Sequence, residues 1–205
     1  MLRQKKDIQE RLTPLAAAIA AKQVVVLYLD ECHLSWDDAC GYAWGPSNQR
    51  ITLPIGNQRQ RQTYYGAIDA LTGELCVMPL DTGDTAWTLV FVAYLRLQYA
   101  GKRLFICWDG ASYHRSIAFR AYLEGVNLHH AREDWPITCI QFAPYAPEQN
   151  PIEHVWLYAK EYIRKQWYRC EKTFQSITNL FEEVLDTTVF TFQKLRMYLP
   201  DLQVI

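Results

Sequence analysis

Residues 142–156 read Phe142-Ala143-Pro144-Tyr145-Ala146-Pro147-Glu148-Gln149-Asn150-Pro151-Ile152-Glu153-His154-Val155-Trp156. Prolines at 144, 147 and 151 punctuate the approach to a helix over about 151–168, and they deliver Glu153 into its first turn. Glu153 is the candidate third carboxylate of a metal site. The same residues also have a purely architectural explanation: Asn150 is a good N-cap, Pro151 suits N1, and Glu153 at N3 would close a capping box. Two further carboxylates lie upstream, each ending an apolar run. Val24-Val25-Val26-Leu27-Tyr28-Leu29 leads into Asp30, and Leu104-Phe105-Ile106-Cys107-Trp108 leads into Asp109. Runs of this kind read as buried strands, and side by side they bring both aspartates to one edge of a sheet. Singly, Asp109-Gly110 is an ordinary turn signal and Asp30 an ordinary polar strand end. Their order and flanking residues favour the three-carboxylate reading.

Outward from these landmarks, the pattern predicts strands near 24–30, 39–45, 50–54, 63–69 and 74–79, with Thr72-Gly73 as a hairpin turn. A helix over about 84–100, a strand at 103–108, a helix over about 115–124 and a strand at about 138–142 follow. A last helical stretch over roughly 173–197 comes after the 151–168 helix and breaks before Pro200. Antiparallel strands first, then alternating strand and helix, indicate an α/β fold in which helices cover a mixed sheet.

The chain has 205 residues, half of them hydrophobic, which suits one core and is small for two domains. Six cysteines at 32, 40, 76, 107, 139 and 170 form no CxxC pair and read as buried, reduced thiols. The start, Met1 to Lys6 followed by Leu15 to Ala20, superficially resembles a signal peptide, but Asp7, Glu10 and Pro14 interrupt it. No apolar run approaches the roughly 20 residues needed to span a bilayer, so no membrane partner is expected. The expected location is the cytoplasm. The formal net charge of −1 gives no overall bias toward a polyanionic partner. The basic residues are nevertheless clustered, at Arg50, Arg59 and Arg61 and again at Lys160, Arg164, Lys165 and Arg169. Lys160 and Arg164 share a helix face, either as a solvated surface or as a stripe facing DNA.

Three blocks resemble, in the right order, the catalytic domain of mariner-type transposases, DDE superfamily endonucleases, and especially their bacterial insertion-sequence branch. Asp30-Glu31 ends the first strand as in that family. Trp108-Asp109-Gly110-Ala111-Ser112-Tyr113-His114 resembles the second block, an Asp-Asn-Ala stretch followed by His, with Gly110 standing where the family usually carries Asn. Pro144 to Trp156 matches Pro-Tyr-Ser-Pro-Glu-Leu-Asn-Pro-Ile-Glu and is the most specific of the three. The interval from Asp109 to Glu153 is longer than usual, and the extra length falls in the loop-like residues 128–136, where it need not move either carboxylate.

The resemblance implies a ribonuclease-H-like mixed five-stranded sheet flanked by helices. A lead-in helix over 1–23 would precede the catalytic domain at 24–205. It implies a DNA transposase that hydrolyses phosphodiesters at transposon ends and transfers strands into target DNA. Mg²⁺ or Mn²⁺, as two ions, would be held by Asp30, Asp109 and Glu153, with Asp30 bridging. Supporting or DNA-contacting candidates are His114, Tyr145, Asn150, Lys160 and Arg164. Glu31, next to Asp30, should point to the opposite face of the strand and serve as a cap or at the surface. His154 projects roughly 100° away from Glu153 around the helix and is left out of the metal shell. Trp44, Trp108 and Trp156 read as core. The expected partners are double-stranded DNA, a second copy of the chain, and a separate helix-turn-helix protein or upstream reading-frame product, because about 23 residues are too few for the family's recognition domains. The alternatives are an inactive remnant that binds DNA or a transposase, and a nuclease acting on RNA–DNA hybrids.

Overall fold

The computed structural model describes residues 2–39, 45–48, 59–143, 147–171 and 173–202. Helices α1 (Leu2–Leu12) and α2 (Ala16–Ala20) lead into β1 (Val24–Ser35), β2 (Arg61–Asp69) and β3 (Leu75–Leu80). Then come α3 (Thr85–Gln98), β4 (Arg103–Trp108), α4 (Ile117–Asn127), β5 (Ile137–Gln141), α5 (Glu153–Lys165) and α6 (Phe174–Thr187). The five strands form one sheet in the order β3-β2-β1-β4-β5. β1, β4 and β5 run parallel, while β2 and β3 are antiparallel additions.

Both faces of the sheet are covered, which is why β1 and β4 read as unbroken apolar runs. One core layer takes Ile8, Leu12 and Ile19 from the lead-in helices, Val155, Trp156 and Ile163 from α5, and Ile177 and Phe181 from α6. The other takes Phe91 and Leu95 from α3 and Phe119 from α4. The lead-in helices therefore share a core with the rest of the chain. Asp84 caps α3 by accepting from Trp87 N at 2.9 Å, and Ser116 caps α4 by accepting from Phe119 N at 3.1 Å.

The hairpin between β2 and β3 forms as expected. The Asp69 carboxylate accepts from Leu71 N at 2.7 Å, and Gly73 takes φ +76°, where an added Cβ would stand 2.2 Å from the carbonyl oxygen of Phe190.

Three expectations change. The last helix stops at Thr187, because Thr187-Thr188-Val189 is a β-branched run and Thr188 is extended; only a short 3₁₀ turn follows, at Gln193–Arg196. The strands expected near 39–45 and 50–54 fall almost wholly outside the described residues, and Trp36–Ala39 is a 3₁₀ turn. β1 runs on to Ser35, five residues past Asp30, held by β2 alone. Cys32, Cys76, Cys107, Cys139 and Cys170 are free thiols; Cys40 lies outside the described residues. No helix among the described residues is long and apolar enough to cross a membrane.

Candidate active site

The parallel pairing of β1 with β4 ends at Tyr28 opposite Cys107, and two residues further on each chain stand Asp30 and Asp109. Asp30 thus occupies the point where β1 has lost its neighbour on that side but is still anchored to β2 through Gly66. Gly66 has a packing reason: a Cβ there would lie 2.4 Å from Trp156 Cη2, so its hydrogen lets α5 sit close on the sheet. That approach carries Glu153, one turn before Trp156, toward Asp30. Asn150 fixes the same end of α5. Its side chain is buried and donates from Nδ2 to the Leu29 carbonyl at 3.2 Å, beside Asp30. Asn150 is therefore not the N-cap: α5 begins at Glu153 with Ile152 at the cap position and no side-chain cap. Tyr198 pins the preceding turn by donating to the Gln149 carbonyl at 2.9 Å.

The three carboxylates sense one another. Burial, followed by the charges of Glu153, Glu31 and Asp109, holds the Asp30 carboxyl well above the usual carboxylate range. Burial also lifts Glu153, with Asp109 adding to the rise and the Lys160 ammonium opposing it. Asp109 goes the other way, lowered chiefly by its bond with His114 and also by the Ala111 N–H. The donors are of the right kind for a hard divalent cation. Among the described residues, however, no group of three or more His, Cys, Asp or Glu side chains is arranged to hold a metal ion.

His114 is buried and lies flat on Trp108, with ring centroids 4.1 Å apart and planes 2° from parallel. Its Nδ1 is 3.2 Å from Asp109 Oδ1, and its Nε2 is 3.4 Å from Glu31 Oε1. Burial opposes charge on the ring, but the bonds to Asp109 and Glu31 outweigh it and raise His114 to about 9. Glu31 does face away from Asp30, as strand alternation requires, but it is not at the surface. Its side chain is 5% exposed and accepts from Tyr113 Oη at 2.7 Å.

Lys160 and Arg164 do share a face of α5, and both are engaged with the chain itself. Lys160 Nζ reaches Asp38 Oδ1 at 3.1 Å and the His33 carbonyl at 3.0 Å, and Arg164 Nε donates to the Asp38 carbonyl at 3.2 Å. They brace the turn after β1 against α5. Lys165 and Arg169 pair with Glu161 and Glu183. Tyr145, Arg50 and Trp44 lie outside the described residues. Trp108 and Trp156 are buried, and His154 packs against Phe192 with ring centroids 5.2 Å apart. The extra length at 128–136 sits at the far end of β4: Arg103 bonds the Glu133 carbonyl and pairs with Asp134, and Asn127 donates to the Ile137 carbonyl at 3.0 Å.

Sequence reasoning missed Glu31's burial, Gly66, Tyr113 and Gln141. The parity of Glu31 gave its face but not the cover, which Tyr113 brings from 82 positions away. Gln141, at the end of β5, lies over Gly110 so closely that a Cβ on Gly110 would meet Nε2 at 2.2 Å. The absent side chain at 110 is the room that the Gln141 carboxamide occupies.

The family profile described as DDE superfamily endonuclease matches residues 25–175, well over half the chain. The chain belongs to that family. No curated protein is a significant match to the sequence. Among solved structures, the catalytic domain of Mos1 mariner transposase aligns over 96% of this chain and 85% of its own at TM-score 0.52 and 14% identity. The Mos1 transposase paired-end complex with left transposon end aligns over 96% of this chain at TM-score 0.56 and 13% identity. This chain spans 59% of the transposase chain in that complex. The HTLV-2 integrase catalytic core domain in complex with magnesium aligns over 80% of this chain and 87% of its own at TM-score 0.50 and 12% identity. At these identities the likeness is one of fold: a ribonuclease-H-like mixed sheet flanked by helices.

Proposed function

We propose that this chain is the catalytic part of a DNA transposase of the mariner type, from the bacterial insertion-sequence branch that its Pro144–Glu153 motif resembles. Residues 24–205 form the catalytic domain, with 1–23 packed on as a lead-in. What supports the reading is that Asp30 and Asp109 each stand two residues past the last β1–β4 pair, and that α5, tied to Leu29 through Asn150, begins with Glu153.

Asp30, Asp109 and Glu153 would hold the Mg²⁺ or Mn²⁺ ions. Bound there, the metals would supply a clamp on the attacking and leaving oxygens of an in-line phosphodiester displacement. The chain's own residues set up the donors. Asn150 ties the start of α5 to the strand carrying Asp30, Gly66 admits Trp156, and His114 holds Asp109 ionised. Lys160 draws Glu153 toward its charged form. The substrate is double-stranded DNA at transposon ends and at the target. Tyr145 is the candidate DNA contact, and the protein would work as a homodimer on cytoplasmic DNA with recognition supplied by a helix-turn-helix module.

A second reading, a remnant that binds DNA or a transposase without cutting, draws on one observation: no metal-holding group stands preassembled among the described residues. Nicking of supercoiled plasmid in Mn²⁺ by the purified protein separates the two. The proposal expects nicking by the unmodified chain, reduced to background by Asp109→Asn and by Glu153→Gln. No nicking by the folded protein favours the remnant, and nicking that survives both substitutions removes the site.

A further inference from the structure

Among the described residues, Glu31 has a buried side-chain carboxylate that the proposed chemistry does not use. Glu31 sits on the sheet face opposite Asp30, its side chain 5% exposed, in a setting where a lone charge would be costly. Among the described residues, its side-chain partners come from the short 3₁₀ turn Ser112–Arg115 that follows Asp109. Tyr113 Oη donates to Oε2 at 2.7 Å, and His114 Nε2 stands 3.4 Å from Oε1. The opposite nitrogen of the same ring lies 3.2 Å from Asp109 Oδ1. The ring cannot swing out of this line, because it stacks on Trp108, which in turn meets Phe119 edge-on at 5.0 Å. Glu31, His114 and Asp109 form a line of contacts that runs from the back of the sheet to its functional edge. The outermost member, Asp109, is 55% exposed at its side chain, while His114 is 1% exposed. A half-exposed carboxylate would ordinarily sample several rotamers; this one is gripped by a ring that is itself gripped from behind.

We propose that Glu31 and Tyr113 are positioning residues: they fix the His114 ring so that it holds the Asp109 carboxylate in one orientation at the metal-binding edge. The inference rests on the reading of Asp109 as a metal-holding carboxylate, but the clamp can be observed without metal. Groups that orient metal ligands typically change affinity about 10- to 100-fold when removed. A buried charge serving only the fold would change stability alone.

The test compares the full chain with Glu31→Gln, Tyr113→Phe, His114→Ala and the double Glu31→Gln/His114→Ala. Tyr113→Phe is the mild variant that keeps the ring's packing and removes a single hydrogen bond, should Glu31→Gln fail to fold. Two readouts are used: the His114 ring N–H signals in ¹H–¹⁵N spectra of the metal-free protein, and Mn²⁺ affinity from the paramagnetic resonance of free Mn²⁺. The unmodified protein should show exchange-protected ring N–H signals. Glu31→Gln should lose them and weaken Mn²⁺ binding about 10-fold or more, and Tyr113→Phe should shift both in the same direction by a few fold. The double variant should bind Mn²⁺ no worse than His114→Ala, because Glu31 acts through the ring. Ring signals unchanged in Glu31→Gln, or Mn²⁺ losses that multiply in the double variant, would overturn the proposal. If the unmodified protein binds no Mn²⁺ while the ring signals still collapse in Glu31→Gln, the clamp stands and the metal-site reading fails.

Discussion

Asp30 shows what the site demands of a single residue. Its carboxyl is raised by burial and by three neighbouring carboxylates, so the folded chain retains a proton that the unfolded chain has released. The sign follows: with the folded pKa above the unfolded value near 4, stability falls as pH rises through that interval, and the full penalty remains above it. Asp30→Asn should therefore raise the Tm of the metal-free protein at neutral pH, with the gain shrinking toward pH 4. Thermal melts from pH 4 to 8 would check this, and a gain independent of pH would contradict the assignment. Asp109 is the counterpart: lowered by His114, it is charged before any cation arrives. The sequence located both aspartates because each closes an apolar run. It could not assign them opposite electrostatic settings, since those depend on the Ser112–Arg115 turn folding His114 back onto Asp109 and on Glu153 arriving from a distant part of the chain.

At the scale of elements, the strands were legible and the helix ends less so. β1 and β4 announced themselves by continuous apolar residues, which two-sided burial requires, and the strands of the β2–β3 hairpin by the turn at Thr72-Gly73. The start of α5 misled: Asn150 has the chemistry of an N-cap, yet it spends its amide on the Leu29 carbonyl, a long-range bond that no local pattern encodes. α6 ended ten residues short of expectation because β-branched residues outweighed its apolar periodicity. The seating of α5 depends on Gly66. Gly66→Ala would drive a methyl into Trp156, whose ring is boxed in by Phe181, so the helix rather than the side chain must move. A loss of about 1–3 kcal/mol is expected in urea unfolding, together with a loss of Mn²⁺ nicking larger than stability explains. Wild-type nicking by a folded Gly66→Ala protein would show that Glu153 tolerates displacement of its helix.

Over the whole molecule, the proposed site and the 128–136 segment lie at opposite ends of the sheet. Asp30 and Asp109 stand two residues past the last β1–β4 pair, while the 128–136 segment, between α4 and β5, lies at the starting ends of β4 and β5, about 20 Å away at 3.3 Å per strand residue. Replacing residues 128–134 with a short turn should leave Mn²⁺ nicking unchanged and cost no more than about 1 kcal/mol, as measured by plasmid assay and urea titration. A large loss of nicking would mean that this end of the sheet communicates with the other. The order of contributions along the chain has a further consequence. The carboxylates arrive at positions 30, 109 and 153, but the turn before Glu153 is pinned by Tyr198, buried near the far end of the described chain. During synthesis the sheet can pair and the first two aspartates can stand in place well before that tyrosine has left the ribosome. On the proposed reading the site is thus braced only once synthesis has passed Tyr198, so a nascent chain that still lacks this residue would be a poor nuclease.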